Sequence, residues 1–414
     1  MRDIELYRHL LGLEAPWTVA RVELAIEAQR VDVWAEHRDG ARWPCPTCGL
    51  ELAVHDHVEE RAWRHLDSCQ FLTYLRARPP RVKCPEHGVH QVRLPWAEPR
   101  ARFTALFERM AIDVLRATDV KSAARLLRLS WDEAWHLMER AVARGLLAKG
   151  HRVSVRLGVD EKAVAKGPRY ATLVYDLDRS TVEYIAKERR KESLAGFYTG
   201  LSAVQLAGIE AVAMDMWGPY IQVTLEHVPG ARDKIVFDRF HVMQYLNEAV
   251  DTVRAQEHRT RSRAGDDVLK GSKHLWLYAA ENLPERHHER FAALRAVHLK
   301  TGRAWALKES LRDLWTYARR GWAERHWKRW YFWATHSRLP PMIAAAKTVH
   351  RQLHNVLTFC THKITNAVSE GLNSKIATIQ KRAYGIRNFD HFRTAVFFHC
   401  GGLELDPATH REPG

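Results

Sequence analysis

Apolar and polar positions follow two different periods along this chain. Val153, Val155, Leu157 and Val159 alternate with Ser154, Arg156, Gly158 and Asp160, the period-2 pattern of a strand whose polar face ends in a carboxylate. Ile209 to Met214 is almost wholly apolar and stops at Asp215, as expected of a central strand covered on both faces. Both patterns predict an acid at the C-terminal end of a strand, where open α/β sheets place their sites. Beyond Thr365 the period lengthens to 3.6. Val368, Leu372, Ile376, Ile379 and Ala383 form an apolar stripe, with Thr365 as N-cap and Gly385 as the stop. Asn366, Glu370 and Asn373 then share a different face of that helix.

The rest of the chain parses in the same way. A short amphipathic helix is followed by alternating stretches at 22–28 and 31–35, which predict a β-hairpin leading into a small module. From Phe103 to Leu147 the period is helical. Two helices, Val120 to Leu129 and Ser130 onward, meet at a short turn, and Ser130 with Glu133 forms a capping box. This is a helix-turn-helix pattern, whose second helix enters the major groove. Its expected exposed row is Asp132, His136, Arg140 and Arg144, the last three being the candidate DNA contacts. Between Asp251 and about Pro341 lies charged helical sequence with seven of the fifteen tryptophans, read as an insertion in the sheet domain. There, 320–333 interleaves bases and aromatics. Trp327, Trp330 and Trp333 recur at helical spacing, which favours core packing over stacking on terminal bases.

Composition adds a partner. Against 49 acids stand 64 Lys and Arg, a net charge of +15, which favours a polyanion, most commonly nucleic acid. No run of 18 apolar residues occurs, and the start lacks a signal-peptide layout; a soluble, cytoplasmic protein with no membrane partner is expected. Six cysteines in 414 residues do not make a disulfide framework. Four positions instead form two matching knuckles, Cys45-Pro-Thr-Cys48-Gly-Leu and Cys84-Pro-Glu-His87-Gly-Val, a Cys3His set suited to one structural, tetrahedral Zn²⁺. His90 is an alternative fourth ligand, and a zinc-free β-domain with buried thiols is the plainer reading, the one assumed for Cys69, Cys360 and Cys400. The spacing between the knuckles suits a zinc-ribbon-like β module. The basic run 76–83 reads either as a phosphate contact or as a solvated strand.

Were Asp160, Asp215 and Glu370 to converge, each close pair would repel by roughly 4 kcal/mol at an effective dielectric near 20. A pair of divalent cations with oxygen ligands is the usual offset, and such a pair clamps the attacking and leaving oxygens of a phosphoryl displacement. The element order is strand-strand-strand-helix-strand-helix-strand-helix with acids at these points, and it resembles the RNase H-like core of DDE transposases. The phrases Gly158-Val-Asp-Glu-Lys162, Met214-Asp-Met-Trp-Gly-Pro-Tyr220, Phe237-Asp-Arg-Phe-His241 and Thr365-Asn-Ala-Val-Ser-Glu-Gly-Leu-Asn373 resemble the ISL-three family of bacterial insertion-sequence transposases over nearly the whole chain.

That resemblance implies an α/β fold: an RNase H-like mixed sheet with an all-helical insertion, preceded by the zinc module and the helix-turn-helix. The expected boundaries are 1–100, 101–150, 151–250, 251–345 and 346–414. Asp160, Asp215 and Glu370 become the catalytic triad holding two Mg²⁺ (or Mn²⁺), with Asp160 bridging, for strand cleavage and transfer at insertion-sequence ends. Asp238 matches a further acid of the pattern, either a helix cap or a metal ligand. Double-stranded DNA, as terminal inverted repeats and target, is the implied partner, held by a homodimer or larger synaptic complex and nucleoid-associated when bound. Lys375, Lys381, Arg382 and Arg387 are candidates to line the DNA path. The competing readings are a catalytically inactive zinc and helix-turn-helix regulator, and an RNase H-like nuclease that cuts without joining.

Overall fold

The computed structural model describes residues 3–150, 153–165, 167, 169–383, 386 and 388–408. It divides into two compact units, one of residues 1–150 with 397–399 and 403–414, the other of residues 151–396 with 400–402.

The first unit opens with α1 (Asp3–Leu10) and the predicted hairpin, β1 (Trp17–Ala25) with β2 (Arg30–His37). There follow β3 (Arg42–Pro44), β4 (Glu51–His57), β5 (Arg61–Ser68), β6 (Phe71–Ala77), β7 (Pro80–Cys84) and β8 (Gly88–Gln91). They make two four-stranded sheets, ordered β1-β2-β6-β5 and β3-β4-β7-β8. Trp17, Trp43, Trp63 and Trp96 are all buried in the core of this module. Then come α2 (Ala105–Ala117), α3 (Val120–Leu127) and α4 (Trp131–Lys149). Each begins at a side-chain cap, Thr104, Asp119 and Ser130, the last as the full capping box with Glu133. Capped starts satisfy N–H groups that a helix leaves unpaired, so the turns fall where the sequence puts these residues.

The second unit is built on a five-stranded mixed sheet. In chain order its elements are β9 (Arg156–Ala165), β10 (Arg169–Asp176), β11 (Thr181–Lys187), α5 (Lys191–Thr199), α6 (Ala203–Gly208), β12 (Ala211–Met214), α7 (Gly218–His227), α8 (Ala231–Lys234), β13 (Ile235–Phe237) and α9 (Arg239–Arg263). The sheet order is β11-β10-β9-β12-β13, antiparallel from β11 to β9 and parallel from β9 to β13. All four residues of β12 are buried. Val212 and Met214 face one cluster, Ala211 and Ala213 another, which is why that strand reads as unbroken apolar sequence.

Next are α10 (Lys273–Leu277), α11 (His288–Ala296), α12 (Lys300–Arg312), α13 (Arg320–Thr335), α14 (Pro340–Arg351), α15 (Leu353–Leu357), α16 (Phe359–His362), α17 (Ala367–Arg382) and α18 (Phe389–Cys400). Helices α10 to α15 share one hydrophobic cluster with the sheet, running from Leu157 and Val174 through Trp276 and Trp305 to Trp327 and Trp330. Trp333 departs from the expected core row and is 44% exposed, because the buried face continues from Trp330 to Ala334 and leaves Trp333, one residue earlier, at its rim.

Candidate active site and zinc centre

Asp160 stands within β9, not at its end as the alternation suggested. The strand continues to Ala165 because β10 pairs with it antiparallel, Leu173 opposite Asp160. The parallel neighbour β12, however, last pairs with β9 at Ala213 and Gly158. Asp160 therefore lies just past the exit of the parallel pairing, and Asp215 follows β12 directly on the same edge. The Asp160 carboxylate accepts from the Glu161 N–H (2.8 Å) and from Asn373 Nδ2 (2.8 Å).

Asn373 ties α17 to this strand. Besides the bond to Asp160, its Oδ1 accepts from the Tyr175 hydroxyl (2.8 Å) and its carbonyl from Lys162 Nζ (2.9 Å). The helix starts closer to β9 than a side chain permits: a Cβ on Gly158 would lie 2.4 Å from Ser369 Oγ and 2.9 Å from Asn366 Oδ1. Glu370, three residues before Asn373, is on the same helical face one turn back. Thr365 is not the N-cap; Asn366 holds that position without a side-chain bond to the helix. Gly385 and Arg387 lie outside the described residues, while Lys375, Lys381 and Arg382 are exposed.

Asp238 is a cap, accepting from the Phe240 N–H (3.2 Å) at the start of α9. It is also 6% exposed and lines a cleft of about 470 Å³ with Glu370, Phe240, Lys308 and Arg312. Its charge is felt on both sides. Burial raises the Asp160 pKa, and Asp215 and Asp238 add to that. Burial, then Asp238, raises that of Glu370. Asp238 itself is raised by burial.

The charge that offsets part of this cluster was not legible in the sequence. Arg189 donates to Asp215 Oδ2 at 2.7 Å and lies 3.0 Å from Glu161 Oε1, with its guanidinium over the Trp217 ring at 4.5 Å. Glu161 is pushed up to about 7, by burial first and Asp215 second, against the pull of Arg189. Among the described residues, no carboxylate trio brings its oxygens within 4.8 Å of one another; the one group that closes to that separation is Cys45, Cys48, Cys84 and His87. The carboxylates still match a hard divalent cation in donor chemistry, with Arg189 in competition for Asp215.

The Cys/His group fits zinc in geometry. Cys48 Sγ is 3.7 Å from Cys84 Sγ, and Cys84 Sγ is 3.4 Å from His87 Nδ1; ligands about 2.3 Å from a tetrahedral zinc are about 3.8 Å apart. N–H groups of Cys48 and Thr47 lower the Cys45 thiol to about 6. His90 turns its Nε2 to the His87 carbonyl (2.6 Å) instead. Cys69 is exposed rather than a buried thiol. In the basic run, Arg76 is paired with Asp32 and Glu60, and Arg81 with Asp56.

On α4, Asp132 and His136 are exposed, but Arg140 and Arg144 do not continue that row. Arg140 reaches Glu98 (3.1 Å) and Glu108 (3.3 Å), and Arg144 reaches Glu98 (2.6 Å), Glu108 (3.5 Å) and the Leu405 carbonyl (2.8 Å). Glu108 is 2% exposed, and a buried carboxylate requires such partners. The row drifts inward because four-residue steps overshoot a helical turn by about 40° each.

Comparison with known proteins agrees with these units. Residues 157–396 match a family described as transposase, of the DDE type and the ISL3 group. Residues 92–142 match the helix-turn-helix domain of transposase family ISL3, and residues 41–87 the zinc-finger of transposases IS204, IS1001, IS1096 and IS1165. The transposase for insertion sequence element IS1001 of Bordetella parapertussis is 29% identical over 84% of this chain and 86% of its own. That for IS1557 of Mycobacterium tuberculosis is 26% identical over 100% of this chain and 99% of its own. No helix among the described residues is long and apolar enough to cross a membrane.

Proposed function

We propose, for a chain that belongs to the ISL3 family of transposases, that it cleaves DNA strands at insertion-sequence ends and joins them to target DNA, with Asp160, Asp215 and Glu370 as its catalytic acids. The observation that carries this reading is the bond from Asn373 to Asp160 (2.8 Å), which docks the glutamate helix beside the strand edge where Asp215 also emerges. Two divalent cations, when bound, would supply Lewis-acid polarisation of the phosphate and of the attacking oxygen.

The chain's own residues then have defined tasks. Asn373 and the Glu161 N–H fix the Asp160 carboxylate, and Arg189 holds Asp215. None of the acids need act as a covalent nucleophile. Asp238 caps α9 and adds negative potential beside Glu370. One zinc belongs to the amino-terminal module, which with the helix-turn-helix holds duplex DNA; His136 remains the proposed contact of the original three. The proposed assembly is a dimer or larger complex, since two ends must be held together.

Incubating the full chain with inverted-repeat DNA and Mg²⁺, scored for nicking and joining, tests this. Asp160→Asn should abolish both while end binding survives; retained cleavage overturns the assignment. Cleavage without joining by the unaltered chain would mark a nuclease, and binding alone a regulator.

A further inference from the structure

The two faces of α13 (Arg320–Thr335) are both aromatic, but only one is buried; on the other, Phe332 stacks on His336 with ring centroids 4.0 Å apart. Inward, Ala323, His326, Trp327, Trp330 and Ala334 are buried. Trp330 Nε1 donates to the Leu307 carbonyl (2.7 Å), and the His326 ring meets the Ser310 carbonyl (2.8 Å). Outward, Trp322, Phe332 and Trp333 are 55%, 64% and 44% exposed. Arg325, Lys328 and Arg329 lie exposed between them. Steps of three and four residues put Trp322, Arg325, Arg329 and Phe332 on one strip, about 15 Å long at 1.5 Å per residue. The Arg325 guanidinium sits 4.7 Å over the Trp322 ring.

The strip has no internal counter-charge. From Arg320 to Ser369 the sequence contains eight Lys and Arg and a single acid, Glu324, which is paired with Arg320 at 3.0 Å. Among the described residues, Arg325, Lys328 and Arg329 make no ion pair. Three large aromatic side chains left in water beside three unpaired cations suit a ligand with both flat apolar faces and phosphates. In duplex DNA those faces are stacked inside. A second copy of this chain would bring like charges together.

We infer that the outer face of α13 binds an unpaired stretch of DNA, its bases against Trp322, Phe332 and Trp333 and its phosphates against Arg325, Lys328 and Arg329. This adds a site to the acidic centre and does not depend on it.

The test uses the full chain without divalent cations and a fluorescein-labelled oligothymidylate of about 16 nucleotides, against a duplex of equal length, read by anisotropy. Changing Trp322, Phe332 and Trp333 together to Ala should weaken single-strand binding at least tenfold and duplex binding less than twofold. Changing Arg325, Lys328 and Arg329 to Gln should flatten the single-strand salt slope by about 2. Asp160→Asn should leave both unaltered, which separates this site from the catalytic reading. Photocrosslinking bromodeoxyuridine oligonucleotides to the unaltered chain should label α13 peptides, whatever the folding of the variants. Crosslinks absent from α13, equal loss of both DNA forms, or unchanged single-strand binding with lost self-association in the aromatic variant would each overturn the inference.

Discussion

Arg189 and Asp215 are joined at 2.7 Å, so the carboxylate proposed to hold a divalent cation already carries an internal one. Removing the guanidinium frees that oxygen and removes a competing charge. Arg189→Ala should therefore raise Mn²⁺ affinity about two- to fivefold, the equivalent of roughly 0.5–1 kcal/mol for a partly exposed ion pair. Manganese paramagnetic resonance reads this directly. Affinity that falls would mean that Arg189 builds the site instead of competing for it.

Gly158 is the place where α17 meets β9. A methyl group there would lie 2.4 Å from Ser369 Oγ and 2.9 Å from Asn366 Oδ1, both on residues buried at the helix start. Gly158→Ala should cost roughly 1–3 kcal/mol through overpacking and displace Glu370 with its helix. Hydrogen exchange over 367–382 should quicken, and cleavage should drop far more than end binding.

Arg140 and Arg144 are committed to Glu98 and the buried Glu108. Arg144→Ala leaves the buried Glu108 with Arg140 alone and should destabilise the helical domain by about 1–3 kcal/mol. His136 is exposed, so His136→Ala should leave stability alone and lower DNA affinity. Urea unfolding alongside DNA titration distinguishes the two; a stable Arg144→Ala protein that merely binds DNA poorly would contradict the geometry.

His65 is buried against Thr104, the cap of α2, at 2.9 Å, and burial lowers its pKa to about 4. Unfolded, the ring titrates near 6.5, so between those values the unfolded chain binds more protons. Stability from this group is complete above about 6.5 and is lost as the pH falls towards 4, by about 3 kcal/mol in all. Hydrogen exchange in Ala105–Ala117 should accelerate over that window, and His65→Gln should remove the pH dependence.

The four ligand atoms of Cys45, Cys48, Cys84 and His87 lie within 4.8 Å of one another. Metal analysis should return one zinc per chain. Cys84→Ser should reduce it to a small fraction, and His90→Ala should not.

Much of this protein could be read from its residues because the relevant physics is local. A period of two or 3.6, a capping box at Ser130, an apolar run ending at Asp215 and two matched knuckles each express constraints acting over a few positions. What the residues left open is what depends on neighbours distant in the chain. The continuation of β9 past Asp160 was decided by pairing with β10. The inward turn of Arg140 and Arg144 was decided by a carboxylate more than thirty residues away, Glu108. Arg189 sits in a run of charged residues with no periodic signal, and only folding sets it between Glu161 and Asp215. Local pattern specifies which elements form; the demand that every buried charge find a partner is met only when those elements pack.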